Sequence, residues 1–501
     1  MDVGSFSQWC TALLLAVSVY LLVTYLTRKP AGSPPGPRGL PVVGSLLHLG
    51  RTNPLAALTE LGEKYGPIFS IYFGPRFTVV LNDYELIKEA FLKQGEAFSG
   101  RAHAFIIKSL MSDEKGNLHG ILETDGAHWK EQRKFALSGL RDFGMGKMSM
   151  EGKIQEEAEV LLNEIKGNAG RPVDYQFLLG NAVSNVICNI VFGSRFEYDH
   201  ADFQQLLTLL NENVRQAGNL EMLNFLPWLR FIPGAGRGQY LGFLARVDKG
   251  VSWVKQRIAE HKKSFDRDNI RDFVDLYIKQ IEDMAQNKST TFTYDEAPYV
   301  ITNLFAAGTE TTATTLRWSL LYMTYYPHVA KKVQEEIDAV IGRGRLPSMK
   351  DKPNMPYTEA TILELQRLAH VVPLAIPHAI TKENTTLRGY QIPNGTMVFA
   401  NLYAVHRDPK RFPEPDVMKP ERFLDENGKL SNSEHLIPFS IGWRVCLGEM
   451  LAKMELFLFF TAFLQNFDIL PPEGDKLAPL TPIIGLTRSP LPHSTRLVLR
   501  P

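Results

Sequence analysis

The most informative stretch of this chain is Phe439-Ser440-Ile441-Gly442-Trp443-Arg444-Val445-Cys446-Leu447-Gly448. A glycine-bearing loop runs into a cysteine, and an apolar helix is predicted to begin directly after it, from Leu447 onward. Because such a cysteine faces free backbone N–H groups and the positive end of a helix dipole, its thiolate is favoured over its thiol. Arg444 adds a positive charge, and Phe439 closes the loop. The pattern predicts a metal-binding thiolate at Cys446, with a buried structural cysteine as an equal alternative on spacing alone.

The cysteine count narrows the kind of site. The chain has three cysteines, Cys10, Cys188 and Cys446, and an odd number this low in a long chain is no disulfide framework. Cys188 lies in an apolar helical stretch and is predicted to be part of the core. A single cysteine provides too few ligands for a structural zinc site or an iron–sulfur cluster. An axial thiolate to haem needs only one.

The same stretch matches, at every fixed position, the signature Phe-x-x-Gly-x-Arg-x-Cys-x-Gly, the haem-binding motif of the cytochrome P-450 superfamily. The chain therefore resembles that superfamily, and most of all its microsomal family-2 enzymes. Further motifs follow in the family's order along essentially the whole chain. The resemblance implies haem b (iron protoporphyrin IX) with the Cys446 thiolate as axial ligand, and it implies that Phe439, Arg444 and Gly448 bind the cofactor.

Helical periodicity dominates the body of the chain, and strand signals are fewer and shorter. We expect a mainly α fold with a minor β portion (α+β). Two hairpins are predicted: Ile68–Phe73 with Thr78–Leu81, and Thr386–Ile392 with Thr396–Ala400. The resemblance implies the cytochrome P-450 fold, with the haem between a long central helix, predicted over Asp295–Tyr325, and the helix of the cysteine loop.

A threonine-rich run from Ala306 to Thr315 places residues of low helix propensity inside this central helix. Local weakness in a long helix often has a functional use. By resemblance, Gly308 opens a groove for dioxygen, and Glu310 and Thr311 form the family's catalytic acid–alcohol pair. We expect Glu310 to pass protons inward from solvent and Thr311 to hydrogen-bond the bound oxygen. Threonines that are merely tolerated in a packed helix are the alternative.

Side chains that hold the haem propionates are also predicted. Trp129 and Arg133 match the family's Trp-x-x-x-Arg and share a helix face at i and i+4. Arginine forks bind carboxylates through two hydrogen bonds, and Arg444 is a further candidate. Arg101 and His378 match propionate contacts of the microsomal subfamilies, with a surface or core role as the alternative.

Three further charged residues are predicted to be structural rather than catalytic. Glu364 and Arg367 lie at i and i+3 on one helix face and resemble the family's Glu-x-x-Arg motif, and Arg422 resembles its third partner. A buried carboxylate between two guanidiniums would fix the loop that carries the cysteine. Losing one partner of such a buried pair costs roughly 3–5 kcal/mol.

The N-terminus is predicted to be a single transmembrane helix. Trp9–Leu26 is uncharged, and about eighteen helical residues span about 27 Å, enough for a bilayer core. A cleaved signal peptide is the alternative, but no basic region precedes the segment. We expect an anchor at residues 1–27, a proline-rich hinge at 28–44 and a haem-thiolate catalytic domain at 45–501. The aromatic segment Phe225–Gly234 is either a second contact with the lipid bilayer or a buried loop.

The partners that we expect follow from the net charge of the chain and from the side of the membrane on which its catalytic domain lies. The 55 basic and 54 acidic residues give no basic excess, which argues against nucleic acid. Basic residues follow the anchor, so the positive-inside rule places the catalytic domain in the cytosol. The resemblance to microsomal enzymes implies the endoplasmic reticulum membrane, with the N-terminus in the lumen. By resemblance, NADPH acts only indirectly, through NADPH–cytochrome P-450 reductase, with cytochrome b5 as a further partner. A basic docking face is predicted, with ordinary surface solvation as the alternative: Lys130, Arg133, Lys134 and Lys453.

The resemblance implies a membrane-bound monooxygenase that inserts one oxygen atom from O2 into a small lipophilic substrate. The stretch Val371–His378 resembles members that hydroxylate long-chain fatty acids, so a fatty acid or related lipid is favoured over a steroid or xenobiotic. The positions predicted to line the substrate pocket are all apolar: Phe105, Phe305, Ala306, Leu374, Ile376 and Leu486.

Two other functions stay open from the sequence. A haem-thiolate isomerase or dehydratase would rearrange lipid peroxides without dioxygen or a reductase, but such enzymes often lack the acid–alcohol pair. A non-enzymatic haem- or lipid-binding protein would have no need of Glu310 and Thr311. The presence of both residues therefore favours the monooxygenase.

Overall fold

The structure is a computed structural model that describes residues 15, 17–18, 28–50, 53–146, 148–232, 234, 236–287, 289–472 and 477–501. The predicted anchor at residues 1–27 lies outside the described residues, apart from residues 15, 17 and 18. No helix in the described part of the chain is both long enough and apolar enough to cross a membrane. The anchor therefore stays a prediction.

Helices form most of the fold. Several begin where a side chain accepts a hydrogen bond from a free amide of the first turn: Asn53 does so for α1, Asp83 for α2 and Asp272 for α10. In chain order the α-helices are α1 (Pro54–Tyr65), α2 (Tyr84–Lys88), α3 (Phe105–Leu110), α4 (Gly126–Asp142), α5 (Met148–Gly167), α6 (Gln176–Val191), α7 (Ala201–Asn219), α8 (Glu221–Phe225), α9 (Arg237–Lys263), α10 (Phe273–Asp283), α11 (Ala297–Tyr325), α12 (Pro327–Val340), α13 (Pro356–Ala369), α14 (Leu402–Val405) and α15 (Glu449–Asn466).

The strands are short and form small sheets. They are β1 (Ile68–Phe73), β2 (Arg76–Leu81), β3 (Gly100–Arg101), β4 (Pro172–Val173), β5 (His378–Ala379), β6 (Thr385–Leu387), β7 (Tyr390–Ile392), β8 (Met397–Ala400), β9 (Phe467–Leu470), β10 (Pro482–Ile484), β11 (Arg488–Pro490) and β12 (Thr495–Leu499). The largest sheet has the order β1-β2-β8-β5-β3, a second has the order β4-β12-β9, and β6–β7 and β10–β11 are separate hairpins. A mainly α fold with a minor β portion is thus confirmed.

The core surrounds the central helix α11. Helix α6 packs along α11, and α9 and α15 also contact it. Helix α15 is buried along most of its length, with apolar side chains on all sides, as expected for a helix inside a core. The central helix and the helix of the cysteine loop therefore pack against each other in the core.

One predicted hairpin is wrong. Strands β6 and β7 pair with each other, so the chain reverses at Arg388 and Gly389, both of which have positive φ. Strand β8 instead pairs parallel to β2 and antiparallel to β5. All four residues of β8 are buried, so hydrophobic burial places this strand inside the larger sheet rather than beside β7.

Candidate functional site

A cavity of about 320 Å³ lies between α11 and the cysteine loop, and we call it the Cys446 cavity. All of the residues predicted to bind the cofactor line it, together with the predicted metal ligand Cys446 and the predicted catalytic Thr311. Helix α11 supplies a wall of small side chains, which leaves room for a flat ligand: Ala307, Gly308, Thr311, Thr312 and Thr315.

Backbone geometry explains the glycine in the cysteine loop. Gly442 has a φ of 85°, and a Cβ atom there would lie 1.9 Å from the carbonyl oxygen of Phe91, so no larger residue fits. The Cys446 amide donates to the Phe439 carbonyl at 3.0 Å, and the Val445 amide donates to the Gly442 carbonyl at 3.1 Å. These bonds turn the loop back on itself and hold Cys446 at the cavity, to which its side chain is open.

The pKa of Cys446 shifts in the direction opposite to the expectation based on its place before a helix. Burial raises the pKa of its thiol above the ordinary value, and the charge of Glu449 adds to this, while the Gly448 amide and the Arg133 charge oppose it. Helix α15 begins at Glu449, so its first turn carries an acidic side chain. The surrounding residues alone therefore do not favour the thiolate. A bound metal ion does, because coordination displaces the thiol proton.

The side chains that donate hydrogen bonds around the Cys446 cavity carry more positive charge than the neighbouring carboxylates carry negative charge. The buried Nε1 of Trp129 has no hydrogen-bond partner among the described residues, and the Arg444 guanidinium lies 3.8 Å from the centre of its ring. Asp125 accepts one bond from Arg444 at 2.9 Å. Even so, burial and the neighbouring Arg101 lower the pKa of Arg444 to about 8. Since buried cations are costly without anions, this group fits the two carboxylates of a haem.

Two short strands place further cofactor-binding candidates. Strand β3 pairs with β5 so that Arg101 stands opposite His378. The Nδ1 atom of His378 lies 2.7 Å from the Phe98 carbonyl oxygen and so carries the hydrogen, which leaves Nε2 as an acceptor in the neutral ring. Burial lowers the pKa of His378 well below its ordinary value. A bond between His378 and a carboxylate therefore needs one additional proton.

The predicted acid–alcohol pair lies on two faces of α11. Thr311 lines the Cys446 cavity, and its hydroxyl donates to the Ala307 carbonyl at 2.9 Å. Glu310 points elsewhere, since its Oε1 accepts from the hydroxyls of Thr314 at 3.0 Å and Thr487 at 3.1 Å. Burial raises the pKa of Glu310 above its ordinary value. Successive helical residues are about 100° apart, so adjacent positions need not share a cavity.

Glu310 lines a second cavity, of about 310 Å³, which we call the Glu310 cavity. It lies between α6, α7, α11 and the β10–β11 hairpin. Its wall is partly polar and partly apolar, with polar residues that include Gln176, Asn211, Thr314, Arg317 and Thr487. No sequence motif indicates this cavity, because its residues come from four distant segments.

The predicted substrate-pocket residues are scattered. Ile376 lines the Cys446 cavity, whereas the structure does not bring the other five to it. Phe105 contacts the ring of Tyr240 on α9. Phe305 is buried in the main core, and Ala306 is half-buried. Leu374 packs against the core beside β1 and β8, and Leu486 is 38% exposed between β10 and β11. Their assignment to a substrate pocket stays a prediction.

The predicted structural set forms one buried cluster. The Arg367 Nε lies 2.7 Å from the Glu364 Oε2, and both side chains are fully buried. The Arg422 Nε lies 3.1 Å from Oε1 of the same carboxylate. Arg367 also donates to the backbone carbonyls of His406 and Pro415. The cluster therefore ties α13 to the segment that leads toward the cysteine loop.

One residue of the Cys446 cavity was not found from the sequence. Glu455, on α15, is fully buried and lines the cavity. Burial raises its pKa well above the ordinary value, while a hydrogen bond with Thr312 acts in the opposite direction. A carboxylate directly before the apolar run at residues 456–460 was the available signal.

Comparison with known proteins agrees with this geometry. The family model "Cytochrome P450" matches residues 34–496. Cytochrome P450 2C23 of Rattus norvegicus is 41% identical over 98% of this chain and 99% of the relative. Cytochrome P450 2U1 of Homo sapiens is 42% identical over 96% and 92%, and cytochrome P450 2J2 of Homo sapiens is 41% identical over 96% and 95%. The similarity therefore extends over nearly the whole chain.

Proposed function

This chain belongs to the cytochrome P450 family of haem-thiolate monooxygenases, and from this premise we propose that Cys446 is the axial ligand to its haem iron. The observation that carries the proposal is the Cys446 cavity, where the cysteine, a cation-rich donor group and Thr311 all meet. When bound, the haem supplies the activation of dioxygen, with electrons that come from NADPH through a reductase.

The chain's own residues would hold the cofactor from two sides. The Nε1 of Trp129, which has no partner among the described residues, and the guanidiniums of Arg101, Arg133 and Arg444 would bind the propionates, because these donors carry more positive charge than the neighbouring carboxylates balance. Phe439 and Gly448 would shape the loop around the ligand sulfur. Arg133 also donates to the carbonyl of Val445, so it joins α4 to the cysteine loop.

Thr311 and Glu310 would move protons between solvent and the Cys446 cavity. The Thr311 hydroxyl already faces that cavity, and rotation away from the Ala307 carbonyl would free it to bond a ligand. Burial raises the pKa of Glu310 and so favours its neutral form, which can donate a proton. Its side chain would exchange its bonds to Thr314 and Thr487 for one toward Thr311, and this rotation would carry a proton from the Glu310 cavity inward.

The substrate we favour is a fatty acid or a related lipid, with a steroid or a xenobiotic as the alternative. The support is the resemblance of Val371–His378 to fatty-acid hydroxylases, together with the apolar wall of the Cys446 cavity. Apolar lining from Ile121, Leu304 and Ile376 excludes water and suits a hydrocarbon chain. One oxygen atom from O2 would be inserted into a C–H bond of this substrate.

We place the protein in the endoplasmic reticulum membrane, with residues 1–27 as the anchor, 28–44 as the hinge and 45–501 as a cytosolic catalytic domain. Exposed aromatic residues in the predicted second contact support membrane association: Trp228 is 45% exposed and Phe231 is 66% exposed. Arg230 lies 4.2 Å from the centre of the Phe231 ring, a pairing that suits the headgroup depth.

NADPH–cytochrome P-450 reductase is the proposed electron donor, with cytochrome b5 as a further partner. Of the predicted docking cations, Lys130 lies over the exposed ring of Trp443 at 5.2 Å, and Lys453 pairs with Glu449 at 2.7 Å. Arg133 instead points inward, toward Val445. The docking face would therefore be built around Lys130, Trp443 and Lys453.

Turnover by the reconstituted full-length protein tests this function. With haem, reductase, NADPH and isotope-labelled dioxygen, we expect one labelled oxygen atom in the product of a long-chain fatty acid, and less product from a steroid or a drug. Thr311→Val should lower product formation about a hundredfold, since a positioned proton donor contributes at least that much. Thr324→Val removes a buried hydroxyl elsewhere on α11 and should leave turnover unchanged. Product formation that needs neither NADPH nor dioxygen would favour an isomerase instead.

A further inference from the structure

The Glu310 cavity contains a buried cation that pairs with no carboxylate of the described residues. Arg317, on α11, lines this cavity and is only 8% exposed. Its Nη2 makes one long bond, of 3.4 Å, to the Pro490 carbonyl oxygen. Its Nε has no hydrogen-bond partner within the part of the chain that the structure describes. A buried charge is normally paired, because desolvation without a partner is costly.

The nearest acidic groups do not satisfy Arg317. Asp174 and Glu310 attract it through space, but no described carboxylate lies within ion-pair distance of its guanidinium. The Asp174 carboxylate accepts from the Gln176 amide at 3.0 Å, and Glu310 accepts from Thr314 and Thr487. Both acids therefore already have hydrogen-bond donors of their own.

The rest of the wall is amphipathic. Apolar side chains of Phe177, Leu207 and Ile483 line the cavity together with Arg317, and Ser489 adds a hydroxyl. Glu212 and Arg215 also line it and contribute one charge of each sign. A cation beside a hydrocarbon surface is the arrangement that binds a small organic acid, with the carboxylate on the guanidinium and the alkyl tail on the apolar wall.

We propose that the Glu310 cavity is a second ligand site that binds a small organic carboxylate through Arg317. The site is separate from the Cys446 cavity and does not depend on which substrate is oxidised there. A ligand in it would complete the hydrogen bonds of Arg317 and lie beside the carboxyl group of Glu310. A small carboxylic acid would thereby bind against the face of the central helix that carries Glu310 and Arg317.

Butyrate is the probe, and its neutral isostere butyramide is the control ligand. Thermal unfolding of the haem-loaded full-length protein is measured against increasing butyrate at constant ionic strength and pH. We expect a saturable rise in the midpoint temperature with butyrate and a much smaller one with butyramide. The Soret band of the haem should stay unchanged, because the proposed ligand does not enter the Cys446 cavity.

Variants assign the effect to Arg317. Arg317→Met should fold, because replacing an unpaired buried charge by an apolar side chain is often neutral or stabilising, and it should weaken butyrate binding at least about tenfold. Arg317→Lys should retain part of the binding, and Arg215→Met, a cation of the same cavity, should retain it fully. Equal responses to butyrate and butyramide, a Soret shift, or loss of binding in Arg215→Met alone would each overturn the proposal.

Discussion

Two groups of buried arginines differ in the source of the negative charge that pairs with them. Around Glu364, the guanidiniums of Arg367 and Arg422 bond to one buried carboxylate of the chain itself. On the Cys446 cavity, Arg101 and Arg444 are also buried, yet the one described carboxylate bonded to either of them is that of Asp125, 2.9 Å from Arg444. The Nε1 of Trp129 has no hydrogen-bond partner among the described residues. In the first group each arginine bonds to a carboxylate of the chain, and we call this group complete. In the second, Arg101 bonds to no described carboxylate, and we call this group incomplete.

This difference separates a structural cluster from a binding site. Desolvation makes unpaired buried charge costly, so a group that lacks negative charge indicates a missing anion, which the two carboxylates of haem can provide. Burial and the charge of Arg101 lower the pKa of Arg444 to about 8, although Asp125 and Glu123 act in the opposite direction. Removing the carboxylate of the complete group should destabilise the fold, whereas removing a donor of the incomplete group should weaken cofactor binding.

The largest expected effect is that of Glu364→Ala. It leaves two buried guanidiniums without their carboxylate, so the free energy of unfolding should fall by about 3–5 kcal/mol, as measured by urea denaturation of the haem-loaded protein. The matched control is Glu197→Ala, which removes a carboxylate that pairs with Arg195 but is 73% exposed. That change should cost at most about 1 kcal/mol. Similar losses in both variants would mean that the Glu364 cluster has no special structural role.

Trp129→Phe should affect the cofactor instead of the fold. It deletes an Nε1 donor that has no partner among the described residues, so the haem-free protein should keep its stability, while haem affinity falls about tenfold. Transfer of haem to apomyoglobin measures the affinity. Trp318→Phe removes the same atoms where Nε1 donates to the Arg488 carbonyl at 3.0 Å, and it should lower stability without a comparable effect on haem. The reverse pattern would contradict the assignment of the two groups.

The smallest effect concerns Glu310, a buried acid that has hydroxyl partners and no arginine bonded to it. Burial raises its pKa in the folded protein above the ordinary 4.5. The folded state therefore holds the proton more tightly, and this contribution to stability is lost as the pH rises above 4.5 and through the folded pKa. The Glu310→Gln variant has no carboxyl group to titrate and does not lose this contribution. The stability of the variant relative to wild type should therefore increase with pH. Midpoint temperatures across a pH series measure this, and a difference that does not depend on pH would contradict it.

The cysteine loop and the donor residues were predictable because each motif is local. Gly442 is needed where a Cβ atom would meet the Phe91 carbonyl, and Trp129 and Arg133 share one helix face. The central helix was also predicted, over Asp295–Tyr325, and α11 covers Ala297–Tyr325.

What the sequence did not predict depends on contacts between distant segments. The direction of the Glu310 side chain is set by Thr487, 177 positions away. The role of Glu455 in the cavity wall depends on how α15 packs against α11, and the pairing of β8 depends on burial between β2 and β5. Helix periodicity carries no information about any of these contacts.

The carbon monoxide difference spectrum of the reduced protein tests the central claim most directly. If Cys446 is the axial ligand, the wild-type protein should show the strongly red-shifted Soret band of thiolate-ligated haem, and Cys446→Ser should lose it. Cys188→Ser, which changes a buried core cysteine, should keep it. An unchanged Soret band in Cys446→Ser would contradict the account.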